Sequence, residues 1–168
     1  IVHGEIRQGQ FSLARFYERR ARRILPALLF MCLVCIPFAW AWLLPGHLRD
    51  FSQSLVAVNL FVSNLLFWNE AGYFRAASEL KPLLHTWSLA VEEQFYIVFA
   101  LLLLLLRRLR TARLIAVLLV LTLASLGLAQ WASSAFPFGN FYLLPTRAWE
   151  LAVGAMLALA NRPSILEE

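Results

Sequence analysis

Two adjacent carboxylates, Glu92 and Glu93, sit in an otherwise apolar stretch that begins HTWSLAVEEQFY at His85 and runs on into leucines. An ionisable group inside a membrane-spanning helix is costly to desolvate, so it marks a functional site or a partner of opposite charge. Helical spacing supplies neighbours. Ser88, Glu92 and Tyr96 recur every four residues, and His85 stands one turn before Ser88. An imidazole, a hydroxyl, a carboxylate and a phenol therefore share one face. With Thr86 as the cap, Glu92 lies about 9 Å into the helix at ~1.5 Å per residue. A carboxylate set against a histidine tunes a general base. The structural alternative is that one glutamate pairs with an arginine of another helix and holds the bundle. A His85–Ser88–Glu92 nucleophile triad is disfavoured, because one helix rarely gives that geometry and no nucleophile elbow is present.

A second set is the run Arg19, Arg20, Arg22 and Arg23. Arg20 and Arg23 are three residues apart and share a helix face. Two guanidiniums so placed can clamp a diphosphate with bidentate hydrogen bonds. The plainer reading is a positive-inside anchor beside a span. The third set is Arg147 with Glu150, three residues apart in TRAWELAVGAML. They can pair with each other or with the bundle interior. Gly154, among Ala152, Ala155 and Ala158, offers a neighbouring helix close approach. Cys32 and Cys35 form a C-x-x-C inside an apolar run and read as two small packed residues. A zinc or redox role needs accessible thiolates and further ligands, which the pattern lacks, so no metal is expected.

These residues need apolar helices to position them. The chain has 168 residues, of which 61% are hydrophobic and 15% charged, and its mean hydropathy is +0.67. Soluble domains run near ~25% charged. Runs of ~18 or more apolar residues read as spanning helices, since lipid offers no partner to a free backbone N–H or C=O. The net charge is +5 and almost wholly arginine, with Lys81 the single lysine. Because the arginines cluster beside apolar runs, lipid and not nucleic acid is the expected partner.

The expected class is therefore an all-α, polytopic transmembrane helix bundle. Residues 11–23 form a basic cytoplasmic interfacial segment. Residues 24–44, 51–68, 87–106, 114–132 and 146–160 are the candidate spans, so four or five cross. Residues 45–50 read as a short turn, and 69–84 and 133–145 as loops. Ser52, Ser54, Asn59, Ser63 and Asn64 dilute the second candidate and should face other helices. The span count conflicts with the charges. If the clusters at 19–23 and 107–113 are both cytoplasmic, an even number of crossings separates them, yet three candidates lie between. One is then not a full span, or the 51–86 stretch re-enters the membrane.

Three stretches together resemble the acyltransferase 3 family of bacterial membrane O-acyltransferases, the peptidoglycan and lipopolysaccharide O-acetylase group. FYERRARRILPAL at 16–28 is similar to that family's FYxRRxxRIxP signature. GYFRAASELKPLLHTWSLAVEEQFY at 72–96 resembles its most distinctive stretch, and LPTRAWELAVGAMLAL at 144–159 its later TRxWEL-type helix. The resemblance implies a bacterial inner-membrane, multi-pass enzyme that moves an acyl group, usually acetyl, from acyl-CoA to an envelope carbohydrate hydroxyl. Lipopolysaccharide O-antigen, peptidoglycan and exopolysaccharide are the acceptor classes. It implies that Arg20 and Arg23, helped by Arg19 and Arg22, meet the phosphates of acetyl-CoA. It places His85, Glu92 and Glu93 in the polar centre, and gives Tyr73, Trp87, Ser88, Tyr96, Arg147 and Glu150 substrate or structural roles. The family's presumed catalytic histidine lies in an earlier helix, and His3, His47 and His85 do not match it. The family domain has about ten spans, each of ~20 residues. The chain, which opens at Ile1 without an initiator methionine or a signal peptide, is expected to be an internal portion, inactive alone. A second functional class, a transporter or channel subunit, would use Glu92, Glu93 and Arg147 as an ion or proton path.

Overall fold

The computed structural model describes residues 11–71 and 81–160 of the chain. The described residues form helices and no strand: α1 Leu13–Trp42, α2 Pro45–Asn59, α3 Ser63–Ala71, α4 Thr86–Leu105, α5 Thr111–Ala135, α6 Pro137–Tyr142 and α7 Leu144–Ala160. The expected all-α bundle is what forms. Three helices, α1, α4 and α5, are long and apolar enough to cross a membrane.

The arginine segment is not a separate interfacial helix. It forms the first turns of α1, which runs unbroken for 30 residues. Ser12 opens it, its hydroxyl accepting from the Arg15 N–H at 3.5 Å. Alanine, arginine and leucine are strong helix formers and no glycine interrupts them. Pro26 and Pro37 lie inside the helix without ending it. A helix of this length reaches about 45 Å at ~1.5 Å per residue, well beyond ~30 Å of hydrocarbon.

The candidate span 51–68 does not exist as one helix. Residues 45–71 form two helices of 15 and 9 residues, each short of the ~20 needed to cross. The turn expected at 45–50 is helical, with Pro45 at its first position, where a missing N–H costs nothing. The break is a Schellman closure. The Val62 N–H donates to Ala57 O at 2.9 Å and the Phe61 N–H to Val58 O at 3.1 Å. Phe61 takes the left-handed conformation, φ 54°, at the position glycine usually fills. Asn59 turns its amide back onto Leu55 O at 2.7 Å. Average hydropathy runs across this break without registering it.

α4 matches the expected span 87–106 to within a residue. Thr86 is not its cap. His85 occupies that position without a side-chain bond, and the Thr86 hydroxyl donates to Leu83 O at 2.7 Å. α5 begins inside the second basic cluster and outlasts the expected 114–132 at both ends. α7 starts two residues before the expected 146 and has 17 residues. The expected loop 133–145 contains α6.

α1 and α4 run antiparallel, as three contacts along them show. Phe11, just before α1, packs into the apolar cluster of Leu103, Leu114 and Leu118. Arg20 meets Glu93. Met31 meets His85. Ascending α1 therefore means descending α4. The start of α1 and the α4–α5 connection, which carries Arg107, Arg108, Arg110 and Arg113, share one end of the bundle. Among the described residues, α1 and α4 are the spanning-length helices ahead of α5, two where the sequence offered three. Cys32 is buried with Leu28, Ala39, Phe51, Val58 and Leu83, Cys35 packs against them, and both thiols are free.

Candidate functional site

The centre of the site is a junction between α1 and α4. Arg20 grips Glu93 through two hydrogen bonds: Nη2–H donates to Oε1 at 2.7 Å and Nε–H to Oε2 at 3.3 Å. Glu93 is 7% exposed. Pairing matters for groups so buried, because desolvating an ion without a partner costs several kcal/mol. The guanidinium carbon also sits 3.4 Å from the centre of the Tyr96 ring, one turn along α4, and 5.9 Å from that of Phe16. Cation–π attraction of this kind adds about 1 kcal/mol where water is partly excluded. The other arginines of the run are exposed: Arg22 reaches Glu18 on its own helix at 2.7 Å, and Arg19 and Arg23 face outward.

The face His85, Ser88, Glu92 and Tyr96 is not one relay. His85, Ser88 and Glu92 are exposed. His85 Nε2 lies 3.2 Å from Met31 Sδ, and the Ser88 hydroxyl donates to the His85 carbonyl at 3.1 Å. Tyr96 belongs with Arg20 and Glu93. Of the acidic pair, Glu93 is the buried member and Glu92 the exposed one. The fold therefore chooses the residue off the four-residue stripe.

A second junction joins α4, α6 and α7. Arg147 Nη2 bonds both oxygens of Glu150, at 2.9 and 2.8 Å. Its guanidinium lies 5.0 Å from the Trp87 ring centre and 5.7 Å from that of Phe141. Trp87 packs against Phe141 and Tyr142. Burial first, then the Glu70 carboxylate, raises the Tyr142 phenol above its ordinary value. Ser125 ties α5 to α7: its hydroxyl donates to Pro145 O at 2.7 Å and accepts the Trp149 N–H at 3.1 Å. Gly154, expected at a close helix approach, has nothing within 4 Å of where a Cβ would stand. Tyr73 lies outside the described residues.

Between the junctions runs a polar network in which Ser63 and Asn64 face α4, as expected, whereas Ser52, Ser54 and Asn59 turn onto carbonyls of their own helix. Asn64 is fully buried. Gln94 Nε2–H donates to Asn64 Oδ1 at 2.8 Å and to Phe61 O at 2.9 Å. Asn64 Nδ2–H donates to Tyr142 O at 3.1 Å and to Gln94 Oε1 at 3.3 Å. Nearby, Ser63 Oγ–H donates to Thr86 O at 3.1 Å. Lys81 pairs with Glu70, both largely buried. Each amide is satisfied, as buried polar groups must be. Gln94 is the member that sequence reasoning missed; its one signal was its place after two glutamates in an apolar helix. Among the described residues no group of three or more His, Cys, Asp or Glu side chains could hold a metal ion.

The acyltransferase domain model of the acyltransferase 3 family matches residues 6–165. The chain belongs to that family. Curated relatives share its sequence over most or all of its length. An uncharacterised protein of Haemophilus influenzae is 32% identical over 98% of this chain and 70% of its own length. A putative membrane-bound transacylase, BcsY, of Komagataeibacter xylinus is 34% identical over 94% of this chain and 40% of its own length. The O-acetyltransferase OatA of Staphylococcus aureus is 32% identical over the whole chain and 28% of its own length. The chain thus spans less than half of the two relatives that carry an activity in their names. No solved structure matches it.

The chemistry of the acyltransferase 3 family is acyl transfer, and its signature residues fall on both junctions. The FYxRRxxRIxP-like segment is the lower part of α1 and supplies Arg20. The TRxWEL-like segment opens α7 and supplies Arg147 and Glu150. The described part of the long middle stretch, from Lys81 to Tyr96, supplies every α4 residue that the two junctions use.

Proposed function

We propose that the protein is an inner-membrane O-acyltransferase that moves an acyl group, acetyl in the simplest case, from acetyl-CoA to a hydroxyl of an envelope carbohydrate. The observation that carries this reading is the arginine run of α1, exposed on one side of the Arg20–Glu93 junction in a chain of this family. Exposed guanidiniums fit the phosphates of a CoA thioester by charge and by bidentate geometry. The thioester supplies an activated acyl carbon. In the transfer, the sugar oxygen forms a bond to that carbon, the C–S bond breaks, and the hydroxyl proton passes through a general base to the leaving thiolate. By family resemblance that base is a histidine of an earlier helix. Of the acidic pair and His85, Glu93 is the one in the buried polar junction beneath that base, and donors nearby stabilise the oxyanion.

The shared end of the two basic clusters supports a topology with that end in the cytoplasm, reached by α1 crossing outward and α4 crossing back. The two short helices α2 and α3 then lie on the far side or dip into the bundle, where protein covers their backbone. The Trp87–Arg147 junction faces that far side, toward an O-antigen, peptidoglycan or exopolysaccharide acceptor. An ion path through Glu92, Glu93 and Arg147 is disfavoured, since Glu93 and Arg147 are each closed by their own ion pair.

The test is acetylation of envelope glycans by the full-length protein, followed by mass spectrometry in cells carrying wild-type protein or Arg23→Ala. Loss of the acetyl ester in the variant, with membrane insertion intact, is the expected result. Wild-type acetylation in the variant would overturn the donor-binding assignment. The chain 1–168 alone is expected to transfer nothing.

A further inference from the structure

Four arginines stand within five residues of α1, and the fold treats them differently. Arg20 is turned onto α4, with Nε and Nη2 on the two oxygens of Glu93 and its face on Tyr96. One of the two edges with which a guanidinium can grip an anion is therefore already closed on a carboxylate. Arg22 reaches Glu18 one turn away on its own helix. Arg23 is exposed, and among the described residues no side chain pairs with it. Successive residues are ~100° apart around a helix, so Arg23 projects about 60° from Arg20. With Arg20 fixed against α4, Arg23 flanks the seam between the two helices. Its height is unusual for an anchor. Phe11 packs against Leu103, Leu114 and Leu118 near the basic end, and Arg23 stands about 18 Å further along α1 at ~1.5 Å per residue. An arginine placed so far along a membrane bundle characteristically faces an anionic partner or a water-filled cavity.

We propose a division of labour within the run: Arg20, held by Glu93 and Tyr96, is a positioning residue that fixes the rotation of α1 against α4, and Arg23 is the guanidinium that this rotation presents to a phosphate of the acyl donor. The second half rests on the donor reading above. It departs from a paired clamp by Arg20 and Arg23, because the Nε–Nη2 edge of Arg20 is taken by Glu93 and its face by Tyr96.

The experiment uses the full-length protein in lipid vesicles and two donors, acetyl-CoA and acetyl-pantetheine. The second carries the same thioester without phosphates. Arg23→Gln is expected to lower kcat/KM for acetyl-CoA about tenfold or more, through KM, and to leave acetyl-pantetheine unchanged. Arg20→Gln and Glu93→Gln should lower both donors by the same factor, leaving their ratio at the wild-type value. The exchange R20E/E93R should recover about tenfold over either single reversal for both donors. A collapse of the donor ratio in Arg20→Gln equal to that in Arg23→Gln overturns the division of labour. An equal loss for both donors in Arg23→Gln, reversed by raising the anionic lipid content, makes Arg23 a headgroup anchor and overturns its assignment. Wild-type protein that transfers from neither donor overturns the donor reading and the Arg23 role with it. The positioning role of Arg20 is then decided by whether the exchange restores the thermal midpoint that each single reversal lowers.

Discussion

Among the described residues, two of the arginine–glutamate pairs lay their guanidinium against an aromatic ring of α4, and they do opposite things. Arg147 and Glu150 are three residues apart on one helix, with side chains 27% and 41% exposed. Arg20 and Glu93 are 73 residues apart, and their side chains are 22% and 9% exposed. The first pair folds back on its own helix and can form whether or not the bundle does. The second exists only when α1 and α4 are assembled in register. Chemistry is shared, but burial and separation in sequence decide which pair defines the fold.

Four substitutions break or sharpen that contrast, read as unfolding free energy of the full-length protein in detergent. Glu93→Ala has the largest expected effect, a loss of about 3 kcal/mol, because Arg20 is left partly buried without its carboxylate. Retention of wild-type stability would remove the distinction between the pairs. Asn64→Ala follows at about 2 kcal/mol, since Gln94 and the Tyr142 carbonyl lose partners in a dry interior. A neutral result would mean that water already replaces the amide pair. Gly139→Ala should cost about 1–2 kcal/mol through overpacking: a Cβ there would overlap the Phe136 ring at 1.8 Å, and α6 would shift beneath Trp87. Glu150→Gln should cost no more than about 0.5 kcal/mol, as expected of an exposed pair within one helix. A loss as large as that of Glu93→Ala would show that the second pair also ties helices together.

The same contrast explains what could be read from the sequence. Spacing within a helix is local, so Arg147 with Glu150 was legible as a pair. The extent of α4 was legible because a long apolar run bounded by His85 and Arg107 leaves little freedom. The partner of the acidic doublet was not. Periodicity favoured Glu92, which continues the stripe of Ser88 and Tyr96, whereas the position of α1 selects Glu93. A pattern along one helix carries no information on where another will stand. The arginine run was legible as a functional segment, but the split between Arg20 and its neighbours depends on rotation about the α1 axis. The break at Phe61 was hidden for another reason. Its left-handed residue is not glycine, and the apolar residues on either side make a continuous hydropathy profile. Gln94 went unremarked because its role lies in the break that it seals.

That break has a consequence for biogenesis. α1 is apolar enough to partition into the bilayer as it leaves the ribosome, whereas residues 45–71 carry Asn59, Ser63 and Asn64 in helices too short to cross. The α4 partners of Ser63 and Asn64, Thr86 and Gln94, arrive only with that helix, which is translated later. The segment must therefore wait at the translocon, or at the membrane surface, until α4 reaches it. A nascent chain halted after Ala71 should leave this stretch open to aqueous labelling reagents, and one halted after the second basic cluster should protect it. Insertion of this region would then be a cooperative step timed by the synthesis of α4, and not a sequence of independent hydrophobic stops.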